Sequence, residues 1–242
     1  MIELNRVSKR FGSFLAVDQL SFDVKPGEVL GLLGENGAGK TTTMRMMATL
    51  LVPTDGEIRI NGFSVRKDPM QVRRQVGLLF GGDVGLYARL TARENIEYFG
   101  RLYDMSQKSL QARVDELGQT LGMEEYLERR VGAFSRGMKQ KVAIARALVH
   151  DPQVILFDEP TTGLDVTAAQ VFRTLIQHLR DSGKTILFSS HNMGEVEKLC
   201  HRVVIIHKGK QRFEGTLPAL KQAYASNDLD EIFMQVVGGG RA

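Results

Sequence analysis

The run Gly34-Glu35-Asn36-Gly37-Ala38-Gly39-Lys40-Thr41 has the spacing glycine, four residues, then Gly-Lys-Thr. Glycines at these positions let backbone N–H groups turn inward around phosphate oxygens, and a helix starting at the lysine adds the positive end of its dipole. Lys40 is placed to reach the outer phosphates, and the Thr41 hydroxyl to bind Mg²⁺. The bare pattern arises by chance in about one chain of this length in a hundred. Here it follows an apolar strand, Val29–Leu33, and precedes a helix-forming stretch, the context that phosphate binding requires.

A second constellation is Val154-Ile155-Leu156-Phe157-Asp158-Glu159-Pro160. Two adjacent carboxylates at the end of a buried strand are costly unless they have cationic partners or work to do. Asp158 suits a magnesium ion held through water, and Glu159 suits proton abstraction from an attacking water. The plainer alternative, that both merely cap the strand, weakens beside the phosphate loop. The third candidate is His191, which follows the strand Thr185–Ser189 and precedes a helix where Asn192 and Glu195 have capping-box spacing. Strands of an α/β sheet deliver their C-terminal ends to the ligand crevice, so this imidazole is within reach of a γ-phosphate. The other histidines (His150, His178, His201 and His207) are read as surface or satisfied core residues.

The elements that position these residues follow from periodicity. Strands are expected at Ile2–Val7, Leu20–Val24 and Val29–Leu33, the last apolar throughout and so buried on both faces. A helix from about Gly39 to Thr49, stopped by Pro53, precedes a hairpin through Glu57–Val65 around Asn61-Gly62. Between Thr91 and Val149 the pattern is helical, with Leu110, Val114, Leu117 and Leu121 on one face and Val142, Ala145, Leu148 and Val149 on another. Strand signals return at Val154–Phe157, Thr185–Ser189 and Arg202–His207, with an amphipathic helix over Val171–Leu179 between the first two. The outline is an α/β core with an N-terminal antiparallel β part and an inserted helical subdomain, about 83–150, and a tail over about 217–242.

Composition narrows the class. The net charge of +4 comes from 32 basic and 28 acidic side chains spread along the chain. A nucleic-acid surface needs a concentrated basic stripe, and the basic runs here are short. Cys200 is the only cysteine, so no internal disulfide forms. The start of the chain has no signal-peptide pattern, and the apolar runs are too short to span a bilayer. A membrane role is therefore expected to come through a partner.

Together these motifs resemble the nucleotide-binding domain of ABC transporters through nearly the whole chain, which implies a P-loop (RecA-like) ATPase using Mg²⁺-ATP. Phe134-Ser135-Arg136-Gly137-Met138 stands where that family has its signature motif, and Thr162-Gly163-Leu164-Asp165 looks like its D-loop. Phe11 matches the aromatic residue that stacks on adenine, and Thr42 extends the nucleotide-binding run. The resemblance implies a head-to-tail homodimer formed with ATP, in which Ser135 and Gly137 act on the partner's nucleotide. Arg136 and Met138 depart from the signature. Gly81 stands where the family has a magnesium-binding glutamine, and water or Asp83 is left to fill that position, with a glycine turn and solvent-facing Asp83 favoured.

Long stretches, including LLFGGDVGLYARLTARENIEYFGRLY, are similar to the ATPase subunit of two-component sodium exporters. That implies a separate multi-span membrane subunit, Na⁺ export, and a location on the inner face of the cell membrane. Leu86, Tyr87 and Leu90 are candidate anchors for that subunit. Export of a drug, lipid or polysaccharide, an ABC ATPase working on nucleic acid or ribosomes, and a nucleotide-binding regulator that no longer hydrolyses ATP are the rival readings.

Overall fold

Val29–Leu33 (β3) has every residue buried, because it runs through the middle of a sheet covered on both faces. The computed structural model describes residues 1–80, 85–161 and 166–238. Around β3 lie Val76–Leu79 (β6), Val154–Asp158 (β7), Thr185–Ser190 (β8), Arg202–His207 (β9) and Lys210–Thr216 (β10), in the spatial order β10-β9-β3-β8-β7-β6. Only the β9–β10 pair is antiparallel. A second sheet of order β2-β1-β4-β5 is antiparallel and comprises Ile2–Phe11 (β1), Phe14–Val24 (β2), Asp55–Ile60 (β4) and Phe63–Ser64 (β5).

Alternation along the parallel strands divides the interior in two. Leu30 and Leu32 of β3, Leu156 of β7 and Ile206 of β9 join the core under the antiparallel sheet, with Met44, Met46 and Met47 of Lys40–Met47 (α1). Leu33, Phe157, Phe188 and Ile205 point to the opposite face. There they meet Ala92–Leu102 (α3), Gln107–Thr120 (α4), Arg136–Leu148 (α5), Val166–Asp181 (α6) and Met193–Leu199 (α7). A strand buried on both faces thus serves both cores with successive residues.

The helical stretch between β6 and β7 has the faces expected from spacing: Leu110, Val114, Leu117 and Leu121 are all buried. Thr91 caps α3 with a full capping box to Glu94, Ser106 caps α4, and Arg93 ties both to the following turn through Asp115 at 2.8 Å and Glu128. An isolated bridge, Thr91 to Arg130, is the β pairing found there among the described residues.

Several boundaries differ from the sequence reading. The helix after the phosphate loop ends at Met47, close to the expected Thr49, which itself turns left-handed at φ 61°. β1 runs on to Phe11 by absorbing register shifts, with Arg6 in a left-handed conformation. Pro69–Gln75 (α2), β10, Leu217–Ala223 (α8) and Leu229–Gly238 (α9) had no clear periodic signal. The hairpin at Asn61-Gly62 is present, with positive φ at both residues. Among the described residues no helix is long and apolar enough to cross a membrane.

Candidate functional site

β3 ends at Leu33 and the chain enters the loop Gly34–Gly39, from which α1 starts at Lys40. Two glycines there are sterically required. A Cβ at Gly34 would lie 2.4 Å from the carbonyl oxygen of Ile206, and one at Gly39, where φ is 107°, would lie 2.7 Å from that of Ala16. The loop is therefore clamped between β9 and β2.

Lys40 is buried, which an ammonium tolerates only with partners. Its Nζ donates to the carbonyl oxygens of Gly34 (2.7 Å) and Glu35 (3.2 Å) and lies 3.6 Å from Glu159 Oε1. Those bonds hold the lysine over its own loop, where phosphate oxygens can take over as partners.

The parallel register places Asp158 opposite Ser189. Ser189 Oγ donates to Asp158 Oδ1 (2.5 Å) and accepts the Glu159 N–H (3.0 Å), while Thr41 Oγ1 donates to Asp158 Oδ2 (2.6 Å). Thr41 and Asp158 are hard oxygen donors side by side. They fit a magnesium ion, which keeps several waters and takes its other ligands from substrate phosphates. No group of three or more His, Cys, Asp or Glu side chains able to hold a metal occurs among the described residues. Such an ion would neutralise charge on the phosphates it touches.

Glu159 sits at φ 49°, a conformation uncommon for a side chain with a Cβ and often found at functional sites. The turn aims its carboxylate between Lys40 and His191, whose Nδ1 is 3.3 Å from Oε1. His191 is half exposed. Asn192 caps α7 through the Glu195 N–H, but the expected box closes on one side only. Glu195 turns to Arg173 at 2.6 Å, and the Asn192 N–H goes to Ser190 Oγ.

A cavity of about 280 Å³ joins these parts, lined by Phe11, Phe14, Ala16, Glu35, Asn36, Gly37, Gly39, Lys40, Thr41, Thr42 and Glu159. Phe11 is exposed, with Lys9 Nζ 5.1 Å from its ring centroid. Ala38 is buried behind the loop.

Ser135 caps α5 through the Met138 N–H, and Gly137 has open space around its Cα. Neither is among the described residues lining the cavity. Asp165, the other D-loop residues, Gly81 and Asp83 lie outside the described residues.

Sequence reasoning missed Ser189, which the strand pairing places against Asp158, and Gln140, whose Nε2 donates to the carbonyl oxygen of Pro160 at 2.9 Å. It also missed Phe14, which needs the β1–β2 hairpin register to bring it beside Phe11.

Comparison with known proteins agrees with this geometry. The "ABC transporter" family model matches residues 17–162. The chain is 52% identical over 238 residues to the ABC transporter ATP-binding protein NatA of Bacillus subtilis (strain 168), covering 97% of each. It is 42% identical over 232 residues to the Nod factor export ATP-binding protein I of Paraburkholderia xenovorans (strain LB400), covering 96% of this chain and 76% of that one. Among solved structures, a dimeric ATP-binding cassette in a post-hydrolysis state with ADP and Pi superposes with a TM-score of 0.82 at 28% identity, over 89% of this chain and 98% of that one. With a phosphate loop, paired carboxylates and a histidine assembled at one sheet edge, the chain belongs to the ABC transporter family as an ATP-binding subunit that hydrolyses ATP.

Proposed function

We propose that this chain is the ATPase subunit of an exporter whose membrane-spanning part is a separate polypeptide, and that the exported species is Na⁺. The observation that carries the ATPase part is the convergence of Lys40, Thr41 and Glu159 on one cavity, with Asp158 bonded to Thr41 and His191 beside Glu159 just behind them. Lys40 and the loop from Gly34 to Thr42 bind the phosphates, Thr41 and Asp158 hold Mg²⁺, Phe11 takes the adenine, and Glu159, steadied by His191, accepts the proton of the attacking water. Ser135, Gly137 and Asp165 serve the nucleotide of a second copy. The dimeric relative supports that arrangement.

The exporter reading is supported by the export relative and by the long stretches similar to sodium-exporter ATPase subunits. The part of the helical subdomain from Gly85 to Gly100 faces the membrane subunit, with Leu86, Tyr87 and Leu90 as its anchors. In that subdomain Tyr87 is exposed, and its ring meets Tyr98 edge-on at 5.3 Å. The chain then sits on the inner face of the membrane through that partner. A second reading, export of a larger organic molecule, is favoured by the relative named for Nod factor export.

The test begins with the reading frames that neighbour this gene: a multi-span protein found there is co-expressed with this chain and the pair is reconstituted into vesicles. ATP-driven movement of radioactive Na⁺, lost in Lys40→Ala, is the expected result. ATP turnover stimulated by an organic substrate, with no Na⁺ flux, would select the second reading. Tyr87→Glu should weaken co-purification with that protein more than it weakens ATP binding.

A further inference from the structure

The phosphate loop carries a glutamate where an anionic substrate must bind. Three ionisable side chains line the described part of the cavity, Glu35, Lys40 and Glu159, so two carboxylates face one ammonium. A triphosphate entering such a pocket meets repulsion unless one carboxylate is drawn aside.

β9 supplies the means. In the parallel register Leu33 pairs with Ile205, which brings Glu35 level with His207 at the strand's end. His207 is buried, and its Nδ1 lies 3.2 Å from Glu35 Oε2. That nitrogen has no aligned hydrogen-bond partner in the structure, so it is available to the carboxylate. The turn that follows is fixed to the same loop. Gly209 N–H donates to the carbonyl oxygen of Ala38 (3.0 Å), the Gly209 carbonyl accepts the Asp18 N–H (2.8 Å), and Lys210 meets Asp18 at 3.4 Å. His207 therefore sits on a brace that cannot move independently of the loop.

We propose that His207 is a positioning residue for nucleotide binding: it holds the Glu35 carboxylate toward the end of β9 and off the path of the triphosphate. This rests on the assignment of Gly34–Thr41 as the phosphate loop. The role differs from that of His191, which addresses Glu159 on the other side of the cavity.

The experiment is a cycle of His207→Ala, Glu35→Gln and the double variant, read by steady-state ATPase kinetics and by titration with a fluorescent ATP analogue. His207→Ala should raise KM and the analogue's Kd about five-fold, the scale of one hydrogen bond's net contribution, while kcat changes less than about two-fold. Glu35→Gln should tighten both about two-fold, since a like charge leaves the pocket. In the Glu35→Gln background, His207→Ala should then have no further effect. His207→Gln, which keeps an N–H, should recover most of the loss.

A double variant as weak as His207→Ala alone would overturn the proposal, because the histidine would then be supporting the fold and not restraining the carboxylate. Should His207→Ala fail to fold, Glu35→Asp tests the same point without touching the core. Its shorter arm leaves the imidazole and should raise KM about five-fold; an unchanged KM would overturn the proposal. Lys40→Ala separates the underlying assignment, for nucleotide binding unaffected by that change would remove the phosphate loop itself.

Discussion

The strand ends of the parallel sheet and the helical stretch from α3 to α5 are built on different principles. At the C-terminal ends of the sheet's strands, β3, β7 and β8 are buried interior strands fixed by backbone pairing on both sides, and the reactive groups sit just past them. In the helical stretch, capped helices are joined by ion pairs between residues far apart in sequence. Arg93 reaches Asp115 and Glu128, while Asp151 is shared by Arg113 at 3.6 Å and Lys184 at 2.8 Å. The first design fixes atoms to within a hydrogen bond. The second fixes the attitude of whole helices and leaves the chemistry elsewhere.

If that contrast is right, substitutions at the two regions should separate in what they damage. The largest effect expected is from Glu159→Gln, which should lower kcat by about 10²–10⁴-fold, the range for loss of a general base, with little change in melting temperature. It should also accumulate an ATP-bound dimer visible by light scattering. Next is Phe157→Ala, one residue behind Asp158. Phe157 is fully buried and packs edge-on against Phe172 at 5.3 Å. The change should cost about 3–5 kcal/mol in urea unfolding and would show how much of the site's precision is borrowed from the core.

The junction of the two regions gives the third test. His150 stacks on Tyr103 at 3.7 Å and approaches the Val76 carbonyl at 3.1 Å. Burial pushes its pKa down from 6.5 to about 4. The native state then binds fewer protons than the unfolded one between those values, so stability should fall as pH drops through that window. The expected loss is about 2 kcal/mol from pH 6.5 to 5, and His150→Phe should flatten the slope in pH-dependent urea titrations. Smallest is Thr91→Ala, which removes the α3 cap and should cost about 1 kcal/mol with kcat unchanged. A large fall in kcat there would mean that helix attitude sets the chemistry after all, and the contrast would fail.

The same contrast explains what could be read in the sequence. Gly34–Thr41, Asp158, Glu159 and His191 were legible because strand, loop and helix are contiguous there and each reactive residue ends a recognisable apolar run. Ser189 needed the register of two parallel strands, and His207 that of β9 against β3, neither of which any local pattern specifies. The helix faces of α4 and α5 were legible from spacing alone. Their ion-pair partners were not, because a charged residue on a helix surface looks the same whether it meets water or a carboxylate 35 positions away, as Arg93 does. The β1 boundary failed where the backbone turned left-handed at an ordinary residue, Arg6.

The bond from Gln140 to the carbonyl of Pro160 works as a mechanical linkage between the two designs. Gln140 rides on α5, whose first turn is held by Ser135, and Pro160 directly follows the strained turn at Glu159. A rotation of α5 therefore pulls on the segment that aims the carboxylate, and a rearrangement of that segment torques the helix in return. Ser135 and Glu159 are thus joined by a short physical path, one helix and one amide long.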